Sequence, residues 1–105
     1  MAVIWAPETE GDFARIHDYN TEEYGQAEAD RIERFITDCG DQLAPGMGLR
    51  WTGLPIRRFR TEHPVRSKRI SYMYNLFFRE HGADIEILAV FAAREEWDVL
   101  VSRRV

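Results

Sequence analysis

At 105 residues the chain is long enough for one compact domain, residues 1–105, and hardly for two. Apolar residues make up 45% and aromatics 12%, enough for a packed core, so an intrinsically disordered chain is excluded. The net charge of −4 is uneven: residues 1–48 hold three basic against eleven acidic side chains, a balance of −8, and residues 49–105 hold eleven against seven, a balance of +4.

In chain order, "AVIW" (2–5) predicts a short strand that ends before Pro7. Proline suits a first helical turn, and Glu8, Glu10 and Asp12 suit the positive end of the helix dipole. The first helix is expected over 7–24, with Phe13, Ile16 and Tyr24 near one face and Gly25 as its C-terminal cap. Ile32, Phe35, Ile36, Cys39 and Leu43 follow helical spacing and predict a second helix. So short a break implies an antiparallel helical hairpin.

"APGMGLRWTGLP" (44–55) reads as loop and "IRRFRTEH" (56–63) as a strand with outward arginines. "RISYMYNLFFRE" (69–80) alternates, with Ile70, Tyr72, Tyr74, Leu76 and Phe78 on one side, and predicts one long strand. A tight turn is expected around Gly82, then a central strand over "IEILAVFAA" (85–93), apolar on both sides. The tail "REEWDVLVSRRV" is left open between a short helix and a loose arm anchored by Trp97. The order gives an α+β fold: an N-terminal strand and a two-helix hairpin packed on one face of a mostly antiparallel sheet of about four strands. The other face is expected to stay open, bordered by most of the arginines.

Few chemical motifs stand out. His17, His63 and His81 are far apart and have no second ligand at metal-binding spacing, so no metal and no cofactor is expected. The glycines of "PGMG" do not make a phosphate loop, and no serine sits on a nucleophile elbow. Cys39, alone in a helical apolar pattern, reads as core; a single cysteine allows no internal disulfide and fits a reducing cytoplasm. The longest apolar run, "ILAVFAA", is far below the roughly 20 residues of a membrane span. The first residues carry no basic leader or long apolar stretch, so no signal peptide is expected.

The basic residues are more informative. Arg57, Arg58 and Arg60 fall on one expected strand, Arg66, Lys68 and Arg69 follow, Arg79 ends the next strand and Arg94 closes the last. Neighbouring strands lie under about 5 Å apart, so such side chains can converge at one edge. Convergent guanidinium groups suit phosphates or carboxylates. The plainer alternative is a solvated face paired with Glu62, Glu80, Glu86, Glu95 and Glu96. Trp51, in the loop, is open to either stacking on a base or filling a gap.

The blocks "VIWAPETEGDFARIHDYNTEEYG", "PGMG", "RRF" and "IEILAVFAAREEW", in that order, resemble the RelE/ParE superfamily of type II toxin–antitoxin systems. The resemblance spans nearly the whole chain. It implies a small cytoplasmic toxin, held in a hetero-oligomeric complex by a ParD-like or other small antitoxin encoded beside it, with DNA reached only through that antitoxin and no membrane partner. RelE-like members cut messenger RNA on the ribosome and usually carry a Tyr or His beside the last strand. Here Ala92, Ala93 and Arg94 stand there, and an arginine is no ordinary base. That step resembles the ParE branch, associated with inhibition of DNA gyrase without a nuclease site. The resemblance therefore implies a non-enzymatic inhibitor. Arg57, Arg58, Arg60, Arg69, Arg79, Arg94 and Trp97 are its candidates for binding a target or the antitoxin. The alternative is a RelE-like ribosome-dependent endoribonuclease with Arg57, Arg60, Lys68 and Arg79 on the phosphates.

Overall fold

The computed structural model describes residues 2–43, 54–55, 65–71 and 74–104. The expected α+β architecture is present. Strand β1 (Val3–Trp5) leads into helices α1 (Thr9–Tyr24) and α2 (Gln26–Asp41). Strands β2 (Leu54–Pro55), β3 (Val65–Ile70), β4 (Tyr74–His81) and β5 (Asp84–Ala92) follow, and helix α3 (Trp97–Ser102) ends the chain. The sheet order is β1-β5-β4-β3-β2, parallel between β1 and β5 and antiparallel elsewhere.

The two helices are separated by one residue. Gly25 has φ +94°, a conformation that L side chains rarely adopt, and its N–H still donates to the Thr21 carbonyl. Pro7 lies in the turn before α1 rather than within it, and Thr9 closes that turn through its hydroxyl on the Ala6 carbonyl, 2.6 Å. On the inner face of the hairpin, Ile16, Ile32, Ile36 and Leu43 meet Ile70, Tyr74, Leu76, Phe78, Ile85, Ile87, Val90 and Ala92 of the sheet. Tyr24, expected on this apolar face, is instead 63% exposed. Gly40 allows a close approach: a Cβ there would collide with the Trp5 ring, whose indole N–H donates to Asp41, 3.0 Å.

The single strand expected over 69–80 is two strands. β3 ends at Ile70 and β4 begins at Tyr74, and these two residues pair directly across the sheet. Leu54 and Pro55, expected in loop, form β2 against Arg66 and Ser67. The strand expected over 56–63 lies outside the described residues, as do the "PGMG" loop, Trp51 and Tyr72.

The second face of the sheet, expected to be open, carries its own apolar cluster. Val65, Phe77, Leu88, Ala89, Phe91 and Val101 pack there, with Trp97 against them. A bulge lets one strand serve both faces. Phe77 pairs with Ala89 but Phe78 with Ile87, so Leu88 is an extra residue in β5 and joins Ala89 on the α3 side. Trp97 does anchor the tail, its ring 5.0 Å from that of Phe77. No helix among the described residues is long and apolar enough to cross a membrane.

Candidate functional site

Strand β1 is short, and its partner β5 is long. Beyond Ile87 the outer edge of β5 has no strand beside it among the described residues, and backbone groups left unpaired there are costly. Side chains take the place of the strand. Asp12 accepts from the Val90 N–H at 3.0 Å, Arg104 donates to the Leu88 carbonyl at 3.1 Å, Arg15 donates to the Val90 carbonyl at 3.1 Å, and Glu95 accepts from the Ala92 N–H at 2.7 Å.

These four residues also bind each other. Arg104 grips both oxygens of the fully buried Asp12, at 2.6 and 2.9 Å. Arg15 joins Asp12, 3.0 Å, to Glu95, 2.7 Å. Both guanidinium groups lie over Phe91, at 5.1 and 5.0 Å from the ring centre. Burial pulls the Arg15 pKa down, but the bonds to Glu95 and Asp12 outweigh it and leave the pKa raised. Sequence reasoning placed Asp12 at a helix dipole and missed this role. Its main partner, Arg104, is 92 residues away, which no local pattern can connect.

Arg94 stands just past this edge, in the turn after β5. As part of a solvated, paired face it would meet carboxylates such as Glu95 and Glu96. Glu95 is taken by Arg15 and the Ala92 N–H, and the Arg94 guanidinium lies over the Tyr19 ring, 4.1 Å from its centre. Tyr19, Asn20, Tyr24, Glu28, Ile32, Tyr74 and Arg94 surround a cavity of about 470 Å³ between the hairpin and the ends of β4 and β5. At its inner side the Asn20 amide donates to the Tyr74 hydroxyl, 3.1 Å, and both residues are buried. Read along the chain, Arg94 has no tyrosine beside it; in space three tyrosines line the same cavity. These phenols come from a helix and a neighbouring strand, not from the last strand.

The remaining basic residues divide. In register, Arg66 and Lys68 share the hairpin side of β3 with Ile70, whereas Arg69 shares the α3 side with Val65. Arg79 is also on the α3 side and is bound to Glu86, 2.8 Å. Arg79 lies roughly 17 Å along β4 from Tyr74, at the end away from Arg94. The described residues thus form no single basic edge; Arg57, Arg58, Arg60 and His63 lie outside them. Cys39 is half-buried, and burial raises its thiol pKa against the opposing charge of Lys68.

Two comparisons find relatives. The model of the family described as the ParE toxin of type II toxin–antitoxin systems, parDE, matches residues 3–97. A solved structure described as the chromosomal ParDE toxin–antitoxin system from P. aeruginosa shares the fold, with a TM-score of 0.72 and 22% identity over 90% of this chain and 97% of the other. Among curated proteins, no sequence matches. The family match covers all but the first two and last eight residues, from β1 to the start of α3: the chain belongs to the ParE toxin family of type II toxin–antitoxin systems.

Proposed function

We propose that this chain is a ParE-like toxin that arrests growth by inhibiting a host target, DNA gyrase, and is neutralised by a cognate antitoxin in a hetero-oligomeric complex. The observation that carries the reading is the match of the family model across residues 3–97. The charge distribution supports a protein partner. The basic residues of 49–105 favour an acidic antitoxin segment, while the acidic helical half opposes direct binding to a nucleic acid backbone. Arg57, Arg58, Arg60, Arg69, Arg79, Arg94 and Trp97 remain the candidates for these contacts.

A second reading keeps one specific support. Arg94 and the buried Tyr74 hydroxyl line the same cavity, a pairing of cation and phenol of the kind a ribonuclease needs at a scissile phosphate. Induced expression separates the two readings. With gyrase as target, cells accumulate DNA damage while messages stay intact, and co-expression of the small protein encoded beside the toxin restores growth. Codon-linked cuts in translated messages, lost in Tyr74→Phe, would establish the ribonuclease instead.

A further inference from the structure

We propose that the cavity beside Arg94 seats an anchor from a protein partner: an aromatic side chain with a carboxylate next to it in the same peptide segment. The proposal deepens the antitoxin reading and rests on it for the identity of the partner.

The cavity suits a ring. Its volume, about 470 Å³, lies within the range of specific ligand sites and exceeds what one side chain fills. Tyr19 and Tyr24 flank it, 38% and 63% exposed, and Ile32 is buried beneath. Large exposed rings around a concave surface are the usual receptors of an aromatic anchor.

The cavity also suits one negative charge. The cavity's own carboxylate, Glu28, is paired with Arg31, and Arg15, Arg79 and Arg104 each hold a carboxylate elsewhere. Arg94 has no ion-pair partner among the described residues; it is exposed, and its guanidinium carbon lies over the Tyr19 ring, so its N–H groups can serve a bidentate acceptor. On the inner side, the Tyr74 hydroxyl accepts from Asn20 and so retains its own proton to donate. One cation at the rim and one buried hydroxyl match a single carboxylate or its neighbouring peptide carbonyl. The helices that form the walls belong to the acidic half of the molecule, with a balance of −8 over residues 1–48, which favours that single peptide group over a run of phosphates.

The test measures binding of the purified toxin to the small protein encoded beside it. The variants are Arg94→Glu and the double substitution Tyr19→Ala with Tyr24→Ala, all at exposed positions, with thermal melting to confirm the fold. Each is expected to weaken binding at least roughly tenfold, while Arg103→Glu, exposed on the far tail, changes it little. Replacing the acid of the antitoxin segment by lysine restores tight binding to Arg94→Glu. Wild-type affinity in folded Arg94→Glu and in the tyrosine double variant overturns the cavity as the seat and leaves the antitoxin reading intact. No complex with the wild type removes both. A single-stranded oligonucleotide that binds wild type but not Arg94→Glu overturns the peptide ligand in favour of a nucleic acid.

Discussion

At the scale of the residue, Asp12 carries more than any other side chain. It is fully buried, accepts three hydrogen bonds from two arginines, and closes the Val90 N–H on the strand edge. A buried carboxylate is tolerable only when so completely matched, and removing one partner of such a group is far costlier than never having it. Asp12→Asn keeps the shape but removes the charge that both guanidinium groups face. It is expected to cost about 3–5 kcal/mol, a large share of the roughly 5–15 kcal/mol that holds a domain together. Urea unfolding checks this, and an unchanged midpoint would show that the two arginines are solvated well enough without it. His17 is a milder case. Its pKa is raised, first by the hydrogen bond to Asp30, 2.7 Å away on the facing helix, against the pull of desolvation. Because the folded protein binds this proton more tightly than the unfolded chain, the stabilisation is complete below the ordinary histidine pKa. It fades as pH rises through the raised one. Asp30→Asn should bring the His17 titration down toward the ordinary value in an NMR pH series; an unmoved midpoint would assign the shift to Glu33 and Asp18.

At the scale of the element, the sequence was legible where one period governs one segment. The spacing of Ile32, Phe35, Ile36 and Cys39 gives α2, and the apolar run gives β5, because burial on both faces leaves few polar residues in it. Alternation failed at 69–80 for a geometric reason. Ile70 and Tyr74 flank the hairpin and face each other, so they share a side, and their separation of four preserves the even spacing straight through the turn. A period of two cannot see a turn of that length. The same parity explains why the basic residues looked like one group and are not: Lys68 and Arg69 are adjacent in sequence and on opposite faces. Helix α3 was legible only as an option, since six residues hold no periodic signal and its docking rests on distant Phe77 and Leu88. Val101 is fully buried in it, and Arg104 follows as the clasp on Asp12. Val101→Asp should therefore release α3 as a unit. Amide exchange at Val90 and Leu88 should then quicken before that of Ile36 in the hairpin core; protection retained at the β5 edge would show that α3 stays seated.

At the scale of the whole molecule, the resemblance in the sequence and the fold agree, but the site did not follow from either. The family blocks take in β1, α1 and β5, while α2, β3 and β4 supply much of the rest of the core. The Arg94 cavity, by contrast, is assembled from α1, α2, β4 and the turn after β5, and its tyrosines are 20 to 75 residues from Arg94. Only the folded chain brings them together. The charge imbalance does have a structural meaning: both helices of the hairpin come from the acidic half, and β3 to α3 from the basic half. A molecule built this way meets proteins of either sign more readily than a bare phosphate backbone. The central claim, that the chain disables gyrase without cutting a nucleic acid itself, is tested most directly by adding the purified toxin to gyrase and relaxed plasmid and following supercoiling. Supercoiling is expected to stop and cleaved gyrase–DNA complexes to accumulate as toxin is titrated in; normal supercoiling at saturating toxin would refute gyrase as the target.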